Sequence, residues 1–111
     1  GSGSRIMDQL SQNYADEGSL PDIILLDIAY QPGFDAWEFL DQLRSLYPRL
    51  AKPIDVYILS ATKYPADLQH LEKYDFVKAF IMKPITKEAL QKIIRHREMS
   101  VDRFAFIEAY N

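Results

Sequence analysis

The run Pro21-Asp22-Ile23-Ile24-Leu25-Leu26-Asp27 constrains this chain more than any other stretch. It is short, continuously apolar, opened by a proline and closed by a carboxylate. Such a run reads as a strand from Asp22 to Asp27, buried on both faces, the pattern of a central parallel strand with helices above and below it. In open parallel sheets, ligands and chemistry sit outside the carboxyl ends of the strands. Asp27 therefore stands where a reactive group belongs.

The rest of the chain alternates in a way that fits such a sheet. Ile6, Met7, Leu10 and Tyr14 fall at helical spacing and predict an amphipathic helix from about Arg5 to Ala15, ended by Gly18 and Pro21. Pro32-Gly33 marks a turn. Asp35 is placed to cap the next helix, with Glu38 completing a box-like pair, and Ala36, Phe39, Leu40, Leu43 and Leu46 form its inward stripe up to Pro48. Asp55 to Ser60 is a second strand and Phe76 to Met82 a third. Between them Ala66 to Tyr74 reads as a short helix with Leu68 and Leu71 inward. Thr86 caps a last helix carrying Ala89, Leu90, Ile93 and Ile94. This alternation predicts an α/β layer fold with a parallel sheet. The tail from Ser100 to Asn111 stays open: Arg103-Phe104-Ala105-Phe106-Ile107-Glu108-Ala109-Tyr110 is either an extra strand or a helix continuing the preceding one, and the run is too short for periodicity to separate them.

Bulk properties narrow the function classes. The 111 residues suffice for one domain. A net charge of −3 argues against a nucleic-acid footprint. The absence of cysteine removes disulfides, thiolate catalysis and zinc–thiolate sites. No apolar run is long enough to cross a membrane and no signal-peptide pattern is present, so a cytoplasmic location is expected. Gly1-Ser2-Gly3-Ser4 reads as a linker or expression scar, residues 5–97 as the domain, and residues 98–111 as an extension.

Three strand ends carry Asp27, Ser60 and Lys83. Their chemistry is coherent. A carboxylate attacks a phosphoryl group as a nucleophile. A serine hydroxyl donates to a phosphoryl oxygen, and a lysine ammonium neutralises the charge that develops there. Taken singly, each has an ordinary structural explanation as a cap, a loop residue or a solvated charge; the order and placement of all three are far more specific. His70 and His96 are expected on solvated helix surfaces, and Trp37 in packing.

On these residues the chain resembles the receiver domain of bacterial two-component response regulators. The resemblance rests on the run ending at Asp27, on Pro-Gly-Phe-Asp-Ala-Trp-Glu-Phe-Leu at Pro32–Leu40, on Ile-Leu-Ser-Ala at Ile58–Ala61, and on Phe-Ile-Met-Lys-Pro at Phe80–Pro84. It implies a flavodoxin-like three-layer α/β/α fold. It implies Asp27 as phosphoacceptor, Ser60 as switch hydroxyl, Lys83 as phosphate-binding lysine and Phe80 as the rotating aromatic. It also implies a cis Lys83-Pro84 bond, Mg²⁺ as cofactor, and a histidine kinase or phosphotransfer protein as partner. By this resemblance the chain is a phosphoacceptor signalling domain rather than an enzyme.

The chain departs from the family pattern in its N-terminal part. The family opens with a strand ending in two acids that hold Mg²⁺ together with the phosphoacceptor, followed by a helix and a second strand. The residues before Pro21 supply one helix and no acid pair, so the fold is expected to be incomplete or rearranged there. Asp27 and the backbone carbonyl of Ala29 remain as metal ligands, and Glu108 is a candidate surrogate if the tail fills the vacant strand position. If it does not, the apolar Asp27 strand becomes an edge that invites pairing with another chain. That edge motivates an alternative reading: a non-catalytic receiver scaffold for interaction or assembly, as a homodimer or a truncated, engineered or domain-swapped form.

Overall fold

The computed structural model describes residues 2–29, 32–96 and 104–107. Helix α1 (Ser2–Asn13) leads into strand β1 (Ile23–Asp27), then α2 (Ala36–Leu46), β2 (Asp55–Ser60), α3 (Pro65–Leu71), β3 (Val77–Met82), α4 (Lys87–His96) and β4 (Phe104–Ile107). The four strands form one sheet in the order β3-β2-β1-β4, and every pairing is parallel.

β1 is buried along its whole length. Because successive strand residues point to opposite faces, its apolar run feeds two cores. Ile24 and Leu26, with Val56 and Ile58 of β2, pack against Met7 and Leu10 of α1, Phe39, Leu40 and Leu43 of α2, and Leu71 of α3. Ile23 and Leu25, with Tyr57 and Leu59, pack against Ile93 and Leu90 of α4. The result is three helices on one face, one on the other, and a strand between them that cannot face water on either side. Burying each such Leu or Ile side chain contributes about 1.5–3 kcal/mol.

The helices start and stop for local reasons. The Asp35 side chain accepts hydrogen bonds from the backbone N–H of Trp37 at 2.9 Å and of Glu38 at 3.2 Å, satisfying two donors at the start of α2. Pro48 falls within a 3₁₀ turn, Tyr47–Arg49, that follows the helix. The Thr86 hydroxyl accepts from the Ala89 N–H at 3.0 Å at the start of α4. α1 begins at Ser2, earlier than its apolar spacing predicts, and ends at Asn13. Tyr14, expected on its buried stripe, lies beyond the helix and is exposed. α3 ends at Leu71, three residues before the predicted Tyr74. Tyr74 itself is buried, and its hydroxyl donates to Asp41 of α2 at 2.6 Å.

The open question of the tail resolves as a strand. β4 runs beside β1 with Ile23, Ile24, Leu25 and Leu26 paired to Phe104, Ala105, Phe106 and Ile107. Of the two alternatives, the tail fills the vacant strand position, and the β1 edge is covered. A fully apolar strand has unmet backbone donors and acceptors on both sides, and β4 satisfies the side that β2 leaves open. Among the described residues, no helix is long and apolar enough to cross a membrane.

Candidate functional site

The sheet order creates a specific place for chemistry. From β1 the chain steps outward to β2 and β3 on one side, then returns to the other side of β1 to form β4. The carboxyl end of β1 lies between the ends of β2 and β4, and in open parallel sheets ligands sit outside the carboxyl ends of the strands. Asp27 is the last residue of β1 and sits in this position.

Its carboxylate is buried, with 3% of the side chain exposed. One oxygen, Oδ1, accepts the backbone N–H of Ala29 at 2.8 Å. The other, Oδ2, accepts the Lys83 ammonium at 2.5 Å. Lys83 reaches it from just beyond β3, with its own side chain 26% exposed, so the ion pair faces solvent through the lysine. A buried carboxylate is costly unless it is paired and hydrogen-bonded, and here each oxygen has a donor.

Ser60 ends β2, between the other two strand ends, and is also buried. Its hydroxyl oxygen accepts from the Thr62 N–H at 3.2 Å, and its carbonyl accepts from the Lys83 N–H at 2.8 Å. The backbone therefore ties Ser60 to Lys83, and the side-chain ion pair ties Lys83 to Asp27. The Lys83-Pro84 peptide is cis. Phe80 lies opposite Ile58 in the β2–β3 register and is half-buried against the core that includes α2 and α3. A cleft of about 490 Å³ opens beside Ala29, lined in part by Ile28, Phe34 and Trp37. At its rim Gly33 has a φ of 83°, a left-handed conformation that favours glycine.

No protein-family model matches the sequence, and no curated protein does either. Solved structures do. A two-component response regulator from Cytophaga hutchinsonii superposes with a TM-score of 0.67 at 30% identity, covering 85% of this chain and 69% of that one. The chain belongs to the response-regulator receiver family. A LuxR-family DNA-binding response regulator from Staphylococcus aureus matches at a TM-score of 0.60 and 26% identity, over 85% of this chain and 68% of that one. The NarL signal receiver domain of Mycobacterium tuberculosis matches at a TM-score of 0.59 and 25% identity, over 86% and 67%. The flavodoxin-like fold expected from the resemblance is the fold of this receiver.

The Mg²⁺ expected in a receiver is tested by the donors this one offers. Mg²⁺ requires near-octahedral oxygen coordination, with one or two carboxylates besides substrate oxygens and water. Asp27 brings one carboxylate, with one oxygen against a cationic ammonium and the other against an N–H. Ala29 brings a backbone carbonyl. Among the described residues, no group of three His, Asp or Glu is placed to hold a metal ion. Glu108, the surrogate ligand suggested by the sequence, lies outside the described residues. The described donor set does not fit a resident Mg²⁺.

Sequence reasoning missed what surrounds Trp37. Its indole stacks on the His70 imidazole of α3, with ring centroids 4.0 Å apart and planes 4° from parallel. His70 is half-buried there rather than solvated as expected. From His70 the aromatic contacts run on through Tyr74 and Phe76 to Tyr47. The apolar spacing of α2 and α3 showed that both helices pack on the sheet, but not that their flanks meet through aromatic rings.

Proposed function

We propose that this receiver accepts a phosphoryl group on Asp27 from a histidine kinase or a histidine phosphotransfer protein, as a signalling domain rather than an enzyme with a separate substrate. The observation that supports this reading is the Lys83 ammonium held 2.5 Å from a buried strand-end carboxylate. In the transfer, a carboxylate oxygen of Asp27 forms a bond to phosphorus as the phosphorus–nitrogen bond of phosphohistidine breaks. The electron pair of that bond leaves with the imidazole, which ends protonated by solvent, and Asp27 becomes an acyl phosphate. Lys83, released from the free carboxylate, neutralises charge on the transferred oxygens. The Ser60 hydroxyl donates to one of them. Its movement opens space toward Phe80, and rotation of that half-buried ring carries the change to the surface beside β3. A cytoplasmic location accompanies this role.

The assembly reading drew its motive from an uncovered β1 edge and an apolar tail, and the tail strand β4 occupies that edge. Phosphoryl acceptance is therefore the stronger reading. The test is intact mass after incubation with a small acyl phosphate, with Asp27→Asn treated alongside. The expected result is one added phosphoryl mass on the parent chain and none on the variant. A folded parent chain that gains no mass refutes the proposal, and equal labelling of both chains refutes Asp27 as the acceptor.

A further inference from the structure

We infer that the cleft between β3 and α4 binds a small amphipathic carboxylate, an apolar body with one anionic head, at a site separate from Asp27. The cleft has a volume of about 560 Å³, within the range of about 300–1,000 Å³ that small-molecule sites occupy. Its position follows from the packing of α4. That helix sets Leu90 and Ile93 over Ile23, Leu25, Tyr57 and Leu59 of β1 and β2. β3 lies beyond them, at the edge of the sheet. There Ala79 of the strand and Ala89 of the helix line the space between the two elements. Two alanines on facing walls leave room that longer side chains would fill. Tyr57, Ile81 and Ile93 complete an apolar lining. Tyr57 and Ile93 are buried while Ala79 is exposed, so the cleft opens to solvent over an apolar floor.

The two walls also carry cations, Lys78 on β3 and Lys92 on α4. Lys92 shares a helix face with Ala89, three residues before it, and Ile93 follows Ala89 by four. Lys78 reaches the cleft through an irregularity. Val77 pairs with Val56 but Ala79 pairs with Tyr57, so β3 holds one residue more than β2 there, and that residue is Lys78. Bulges of this kind re-aim a side chain. Among the described residues neither ammonium has an ion pair or a side-chain hydrogen bond. Asp55 also lines the cleft and has a partner of its own. The apolar floor suits an apolar body, and the two ammoniums suit an anionic head. A concave, narrow space between a strand and a helix fits a small molecule better than a flat protein surface. The cleft lies toward the amino ends of the strands: Asp55 pairs with Ile23 at that end, and Asp27 pairs with Leu59 at the other. The inference therefore does not depend on phosphoryl transfer at Asp27.

The experiment is isothermal titration calorimetry of the full chain with octanoate, octanol and acetate, with folding checked by circular dichroism. Octanoate is expected to bind saturably, one per chain, at millimolar concentration or below. Octanol lacks the charge and is expected to bind about fivefold more weakly, and acetate, which lacks the apolar body, not to bind. Lys78 and Lys92 are exposed, so the double variant Lys78→Gln, Lys92→Gln is expected to fold. It should bind octanoate about fivefold more weakly than the parent and octanol equally well. Ala89→Leu fills the cleft and should abolish both. Asp27→Asn should bind octanoate as the parent does. Octanoate binding that is absent or does not saturate overturns the inference. So does octanol binding as tight as octanoate, or a folded lysine variant or Ala89→Leu chain that binds octanoate as the parent does. If Ala89→Leu does not fold, the lysine variant and the octanol comparison decide. Failure here leaves the phosphoryl-mass test standing, and failure of that test leaves this one standing.

Discussion

Tyr74 gives the sharpest quantitative test of how α2 and α3 are held together. Its ring is 2% exposed and its hydroxyl donates to the Asp41 carboxylate at 2.6 Å. Burial, the hydrogen bond to Asp41 and the Asp41 charge together push its pKa from 10.0 to about 12, against a small opposing effect of Arg44. The raised value makes the neutral phenol the form that the fold stabilises. Below the unfolded pKa both states hold the proton and the stabilisation is fully present. Above it the unfolded chain loses the proton while the fold retains it, so stability falls until the folded pKa is passed. With a two-unit separation the loss is about 1.4 kcal/mol by pH 11 and approaches about 2.7 kcal/mol above pH 12.

Tyr74→Phe removes the hydroxyl and keeps the ring. Losing a hydrogen bond to an exposed carboxylate costs about 1.5 kcal/mol near neutral pH. The variant has no phenol to titrate at this site, so it escapes the alkaline loss. The gap between parent and variant should therefore shrink from about 1.5 kcal/mol near pH 8 to almost nothing near pH 11. Urea denaturation at a series of pH values measures both curves. Every other group is common to both proteins, and the difference cancels its contribution. A gap that stays constant across this range would refute the argument, because it would mean the phenol does not retain its proton in the fold.

Two further outcomes follow from the geometry. Asp35→Ala removes the acceptor of the Trp37 and Glu38 N–H groups and is expected to cost about 1 kcal/mol in denaturant unfolding; a cost of only a tenth or two would mean the cap contributes nothing. His70→Ala removes the ring stacked on Trp37; since Trp37 is the only tryptophan, its emission should change clearly while stability falls by about 0.5–1.5 kcal/mol, and an unchanged spectrum would show that the stack does not persist in solution.

What the sequence disclosed, and what it hid, follows from the range of the interactions. β1 and β2 were legible because double-sided burial demands a continuous apolar run, a property of neighbouring residues. The caps at Asp35 and Thr86 were legible for the same reason, since each bonds N–H groups two or three residues away. β4 was not, because the short run Arg103–Tyr110 carries no decisive period and the partner of its strand, β1, lies some 80 positions earlier. The Trp37–His70 and Asp41–Tyr74 contacts join residues 33 positions apart in each case, and nothing local to either partner marks them. Tyr14 erred in the opposite direction: helical spacing continued past Asn13, where the helix itself had ended. For the site, Asp27, Ser60 and Lys83 were each placed at a strand end by local pattern. Their linkage, ammonium to carboxylate and amide to carbonyl, needed the register of three strands.

That register explains why the chain order matters less to this site than it first seems. The placement of Asp27 requires a strand on each side of β1. Whether the strand on the far side comes before β1 in sequence or after it does not alter the parallel ladder, the burial of Ile23 through Leu26, or the position of Asp27 at the mouth. β4 arrives last and supplies the same backbone pairing. What sequence order does change is which side chains the neighbouring strand brings to the mouth. The backbone part of the site is therefore restored by any parallel strand of suitable length, while its charge is set by the particular residues at the strand ends. At the described ends of β1, β2 and β3 those are a carboxylate, a hydroxyl and an ammonium, and the ammonium is already committed to the carboxylate. Fold and electrostatics can thus part company in this receiver, and the phosphoryl-mass experiment probes the electrostatics where the sheet alone is silent.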